Sequence, residues 1–273
     1  MEIIGITNVK GVIYIIMRVK ITELIKNKYF RISVGVTIFF VVLIIVFYIT
    51  GILWIGELSS EKYPVQGVDV SHYQGIIDWE VLAGENIDFA FIKATEGSGT
   101  QDTRFEYNWE EAHKTDLKVG AYHFFSFDSE GSTQADNYIA TVPVNDNALP
   151  PVIDVEFYGD KKDNSPKLED VKEQLGVLIS RLENTYGKTP IIYCTYSTYV
   201  RYIKDNFDEC TLWIRNTYYK PGVFDGVDWT IWQYTDEGKK AGYDGYEDGK
   251  KAEEYIDLNV FNGTKDEFEE FCR

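Results

Sequence analysis

Histidine, methionine and cysteine are scarce in this chain: three, two and three of 273 residues. His72, His113 and His123 are too few and too scattered for a metal cluster. Cys194, Cys210 and Cys272 form no CxxC pair, and their odd number speaks against both a disulfide framework and a zinc site. If two of them pair in an oxidising compartment, Cys194 and Cys210 are nearest in sequence. Cys194 sits in the apolar run IIYCTYS and reads as buried and inert. There is no GxSxG elbow, no P-loop and no HExxH helix, which removes the chemistries those motifs serve. The KATEGSG run (Lys93 to Gly99) has two glycines, but a strand-to-loop turn explains them as well as phosphate binding does. Internal repeats and low-complexity segments are also missing.

Positive charge is scarce as well. Lys and Arg number 27 against 44 Asp and Glu, giving a net charge of −17. Residues 1–33 hold six of the basic residues against Glu2 and Glu23, so the remainder is more acidic still. Such a body excludes non-specific nucleic-acid binding, which needs clustered Lys and Arg.

One long run lacks charge altogether. Val34–Ile55 reads VGVTIFFVVLIIVFYITGILWI, a length that spans a bilayer core of about 30 Å. Lys and Arg precede it, and Glu57 and Glu61 follow. The positive-inside rule then puts residues 1–33 in the cytoplasm and the body outside. A cleaved signal peptide is the competing reading. The run is longer than a usual signal core, however, and no small-x-small site follows it. Met17 offers a second start that leaves the run intact. The expected organisation is a basic N-terminus (1–33), a single transmembrane anchor (34–55), a tether (56–64) and a catalytic body (65–273).

In the body, strand-like runs recur at Val65–Val70, Phe89–Ala94, Val119–Phe125, Pro151–Val155, Ile191–Tyr196, Leu212–Ile214, Trp229–Tyr234 and Tyr255–Leu258. Helix-like segments separate the earlier ones. The clearest spans Ser165 to Tyr186, with Ser165 as cap, Pro166 in the first helical position and Gly187 as terminator. Alternation of this kind implies parallel strands covered by helices, and eight strands suggest an α/β fold, a TIM-like β/α barrel. The last third is poor in helix signals, so the barrel is expected to be irregular there.

A barrel of this type keeps its chemistry at the C-terminal strand ends. In PPVIDVE, Asp154 and Glu156 are two apart and share one strand face. Close carboxylates disfavour joint ionisation, and a retained proton can be donated to a glycosidic oxygen. A capping or salt-bridged pair is the plain alternative. Asp69 in GVDVSHYQG and Asp257 in YIDLNVFNG have similar settings, although a turn-capping role also suits Asp69. Four carboxylates at one barrel mouth suit carbohydrate cleavage. Tyr122, Trp213, Trp232 and Tyr234 lie near strand ends, where aromatic faces can stack on sugars, and Gln233 can bond hydroxyl or acetamido groups. Each of these aromatics alone is as well explained by core packing.

GVDVSHYQGIIDW, DFAFIKATEG, GAYHFF, PPVIDVE, WTIWQYT and IDLNVFNG occur in an order that closely resembles family 25 of the glycoside hydrolases, the Chalaropsis-type lysozymes. The resemblance covers about residues 65–263. It implies an irregular β/α barrel that hydrolyses, without metal or cofactor, the β-1,4 bond between N-acetylmuramic acid and N-acetylglucosamine in peptidoglycan. It implies Glu156 as general acid, Asp154 as nucleophile or as orienter of the substrate's acetamido group, and Asp69 and Asp257 as further acidic members. Tyr122, Trp213, Arg215, Trp232, Gln233 and Gln74 make up the expected substrate-binding set. One departure is LWIRN, where many members read LW-x-A. Arg215 can grip a lactyl or stem-peptide carboxylate, or it can be an outward surface residue. An inactive wall-binding module and a chitinase-like glycosidase are the competing functions.

Overall fold

The computed structural model describes residues 27–49, 61–223, 226–247 and 249–273. The chain divides into two compact units, residues 1–53 and 54–273. In the first, α1 (Lys28–Ile49) is one apolar helix, long and apolar enough to cross a membrane. It begins at Lys28, ahead of the expected Val34. The reason is a cap: Asn27 Oδ1 accepts from the backbone N–H groups of Tyr29 and Phe30 at 2.9 and 3.4 Å, which draws the flanking charged residues into the first turn. Residues 1–26 of the basic segment, 50–55 of the expected span and 56–60 of the tether lie outside the described residues.

The second unit is a closed barrel. Seven strands run parallel in chain order: β1 (Gln66–Val70), β2 (Phe89–Glu96), β3 (Lys118–Phe124), β4 (Val152–Val155), β5 (Ile191–Thr195), β6 (Thr211–Arg215) and β7 (Ile231–Gly238). The eighth, β8 (Ile256–Phe261), is antiparallel to both neighbours, β7 and β1, and closes the ring. The first four connections carry α2 (Trp79–Ala83), α3 (Phe105–Ala112), α4 (Gly131–Thr141) and α5 (Leu168–Tyr186). The β6–β7 and β7–β8 connections hold no helix among the described residues. A parallel strand needs a long crossover to return to the same end, whereas an antiparallel strand does not. The expected loss of regularity is therefore a reversal of the last strand. The last helix, α6 (Lys265–Phe271), follows β8.

α5 starts at Leu168, not near Ser165. Ser165 Oγ donates to the Lys162 carbonyl at 3.2 Å and caps nothing in α5. The C-terminus is as expected, with Gly187 left-handed at φ 69°, a conformation that glycine adopts without Cβ strain.

Side chains alternate along each strand. Outward residues such as Ile153, Val155, Ile192 and Ile214 pack against Val171, Leu175, Leu178 and Leu182 of α5 in one apolar layer. Inward residues Phe89, Phe91, Val152, Ile191, Trp213, Ile231 and Phe261 fill the lower barrel. Phe268 of α6 closes that end, with its ring 5.4 Å from Phe89 and 5.1 Å from Phe261. Gly67 and Gly120 are required here, because a Cβ at either would overlap the ring of Phe89 or Phe91. Each buried ring stabilises by about 1.5–3 kcal/mol. The barrel can therefore leave its upper end polar and unfilled.

Candidate active site

At the C-terminal ends of the parallel strands lies a cavity of about 240 Å³ whose wall includes Asp69, Asp154, Glu156 and Asp257. Three of these follow from strand alternation. Asp69 lies on the inward face of β1, and Asp154 and Glu156 continue the inward face of β4 beyond Val152. Asp257 arrives differently. It is near the start of β8, and because β8 is reversed, its start is at the same mouth. Asp257 pairs in register with Asp69.

Asp69 is buried and held by two amides. Gln233 Nε2 donates to its Oδ1 and Oδ2 at 2.9 and 3.2 Å, and Asn259 Nδ2 donates to Oδ1 at 2.6 Å. Each amide is fixed in turn. Tyr193 Oη donates to Gln233 Oε1 at 2.9 Å, and Trp213 Nε1 donates to Asn259 Oδ1 at 2.9 Å. Burial raises the Asp69 carboxyl, and the amide donors hold it back. Burial raises Asp257 further, and the charge of Asp69 adds to it. The amides hold the charge on Asp69, so the proton of the pair rests on Asp257.

Asp154 and Glu156 are both raised above their ordinary values. For Asp154 the causes are burial and then the charge of Glu156, opposed by Lys93. For Glu156 burial dominates, opposed by Arg215. One proton thus stays on this pair at pH values where isolated carboxyls have lost theirs. Asp154 Oδ1 is buried with no hydrogen-bond partner. An unpaired carboxylate oxygen at a cavity wall is costly and can accept a donor from a bound molecule.

The other expected residues divide. Tyr122, Trp213 and Gln74 line the cavity. Gln74 is locked by backbone, with Oε1 accepting from Ser71 N at 2.9 Å and Nε2 donating to Tyr255 O at 3.2 Å. Gln233 points inward but spends its amide on Asp69 and Tyr193, so it supports the site from below. Trp232 was expected at the cleft and is not there. It is fully buried in the outer layer, with Nε1 donating to Asn216 O at 2.8 Å. Neighbours on a strand face opposite sides, so Gln233 inward forces Trp232 and Tyr234 outward. Arg215 is not a free surface residue. It ends β6 on the inward side and forms an ion pair with Asp236. His123 bridges Thr95 and Gln134 at 2.7 and 3.0 Å on the outer face, and burial pulls it down to about 4. Cys194 is buried, and all three cysteines are unbridged.

Lys93, Tyr193 and Asn259 have no part in the expected set, yet the first two line the cavity and Asn259 orients Asp69. Period-two counting reaches all three: Lys93 from Phe89 and Phe91, Tyr193 from Ile191, Asn259 from Asp257. A larger groove of about 1,260 Å³ lies along α2 and α3. None of the four carboxylates reaches it, and its Lys114, Lys118 and Lys265 are paired with Glu111, Glu269 and Asp88.

Residues 68–243 match the model of glycosyl hydrolases family 25. The chain is similar to a solved family 25 glycosyl hydrolase from Bacillus anthracis, at 52% identity and a TM-score of 0.72, covering 78% of this chain and 95% of that one. It is 29% identical to lysozyme M1 of Streptomyces globisporus, over 75% of this chain and 70% of the relative. It is 26% identical to an N,O-diacetylmuramidase of Arthroderma benhamiae, over 80% and 91%. With an acidic cavity at the mouth of an irregular barrel and a family match across most of that barrel, the chain is a glycoside hydrolase and belongs to glycosyl hydrolases family 25.

Proposed function

We propose that the chain is a muramidase that hydrolyses the β-1,4 bond between N-acetylmuramic acid and N-acetylglucosamine in peptidoglycan. The convergence of Asp69, Asp154, Glu156 and Asp257 on one cavity carries the reading. The relatives support the choice of substrate, since they include a lysozyme and a diacetylmuramidase.

Glu156 is the general acid. Burial keeps one proton on the Asp154–Glu156 pair, and Glu156 donates it to the glycosidic oxygen as the bond breaks. Asp154 assists on the other side of the reaction, as nucleophile or by holding the acetamido N–H of the substrate. The unpaired Oδ1 favours the second role, because it is an acceptor with no protein donor. Asp69, held by the Gln233 and Asn259 amides, supplies the negative field that an oxocarbenium-like transition state needs, with Asp257 beside it holding the shared proton.

The enzyme works at the outer face of the membrane, with α1 as an uncleaved anchor and residues 65–273 as its catalytic domain. The apolar helix and the acidic body support this placement.

The test is to incubate residues 57–273 with purified peptidoglycan and identify the released reducing ends by mass spectrometry. Muramic acid ends are expected, with their release lowered about 10²–10⁴-fold by Glu156→Gln. Glucosamine ends, no release, or release indifferent to Glu156→Gln would each overturn the reading.

A further inference from the structure

The cavity is small for its task. At about 240 Å³ it lies below the ~300–1,000 Å³ of ordinary ligand pockets. A polymeric substrate must therefore gain binding from groups that extend past its wall. Tyr73 is such a group. It belongs to the cavity wall, yet it is 53% exposed, so its ring continues the wall outward.

That ring is unusually well fixed for an exposed one. It packs on His72, with centroids 4.0 Å apart and planes tilted by 37°. His72 is held by Asp102, whose Oδ2 meets Nδ1 at 2.7 Å and accepts from the His72 backbone N–H at 3.0 Å. The Asp102 side chain is fully enclosed. Its other oxygen accepts from the Arg104 backbone N–H at 2.9 Å, so the rim histidine is tied to the turn that leads into α3. The backbone is fixed too. Ser71 caps the turn His72–Gln74, and Gln74 completes a capping box. Gly245 N–H then donates to Gln74 O at 3.0 Å. Gly75 admits this loop, because a Cβ there would overlap Asp244 and Tyr246.

We infer that Tyr73, braced by His72 and Asp102, is a stacking platform for a sugar unit of the glycan strand beyond the residue being cleaved. The inference rests on the glycan-hydrolase reading above and adds a substrate-binding residue to it. An exposed aromatic face suits the apolar face of a pyranose ring, and a pre-ordered one loses little entropy on binding. His72 and Asp102 act through Tyr73 and are positioning residues.

The test uses soluble peptidoglycan glycan fragments of two defined lengths, four and eight sugars, with wild type, Tyr73→Ala and Tyr73→Trp. Tyr73 is exposed, so neither change disturbs the core. Tyr73→Ala is expected to raise KM on the longer fragment about tenfold, with a larger effect on KM than on kcat and a smaller rise on the shorter fragment. Tyr73→Trp, which keeps an aromatic face, restores KM. His72→Ala raises KM in the same sense by releasing the ring. A KM for Tyr73→Ala equal to that of wild type on both fragments overturns the inference, as does a loss that Trp fails to restore. Failure of wild type to cleave either fragment refutes the muramidase reading instead, so the two failures are distinguishable. Binding of the eight-sugar fragment to Glu156→Gln, with and without Tyr73→Ala, gives a readout independent of turnover, and equal affinities again overturn the inference.

Discussion

Asp257 stands opposite Asp69 across the antiparallel β1–β8 pair, in register with it. Gln233 and Asn259 both donate to Asp69, so the charge of the pair is held there and the proton on Asp257. The two positions are therefore unequal. Asp257→Asn keeps a donor and is expected to lower kcat/KM on peptidoglycan by less than about tenfold. Asp69→Asn removes the charge and sets amide against amide, and a loss of about 10²-fold or more is expected. Equal losses would mean that the shared proton has no role.

The enclosed carboxyls also shape stability. The Asp154 carboxyl is raised well above 3.8 in the fold, so above that pH the native state binds more protons than the unfolded chain. Stability then falls as pH rises from about 3.8 toward the raised value. Asp154→Asn removes this loss. It is expected to melt about 2–4 °C above wild type at neutral pH, with the gain vanishing as the pH falls below 3.8, where both states hold the proton. Calorimetry across that range checks it. A gain that persists in acid would point to packing instead.

The eight strands and three of the four carboxylates were legible because both rest on period-two alternation, which a single segment displays. The direction of β8 was not legible, since alternation reads the same both ways. Asp257 reached the right mouth only through that reversal. Of the adjacent Trp232, Gln233 and Tyr234, alternation allows only the middle one inward, so Trp232 packs in the outer layer and not at the cleft. Lys93 and Asn259 gain meaning from neighbouring strands, and no single segment shows that register. The Asp236 partner of Arg215 lies on the next strand for the same reason.

Tyr193 tests the support beneath the cavity. Its hydroxyl donates to Gln233 Oε1 in a buried setting. Tyr193→Phe keeps the ring and leaves that amide oxygen unpaired. A loss of about 1–3 kcal/mol in urea unfolding is expected, accompanied by lower kcat as Gln233 loosens around Asp69. Unchanged stability would show that the amide finds another donor.

The anchor gives a simpler outcome. Full-length protein is expected in the membrane fraction, with its body cut by protease added to intact spheroplasts. Recovery of a soluble, shortened chain from the medium would show that the apolar run is a cleaved signal.

Arg215 and Asp236 offer opposing handles on the proton donor. They form an ion pair, and both act on Glu156: the guanidinium lowers its proton affinity, while Asp236 raises it. Loss of the Glu156 proton sets the basic limb of kcat/KM against pH. Arg215→Gln removes the opposing cation, so the limb is expected to move to higher pH by roughly one unit. Asp236→Asn removes a raising charge and also releases the guanidinium to act on Glu156, so the limb moves to lower pH. A merely structural pair would lower activity in both variants without moving the limb. Shifts in opposite directions are the signature of an electrostatic role. Shifts in the same direction, or none, would leave Arg215 with packing alone.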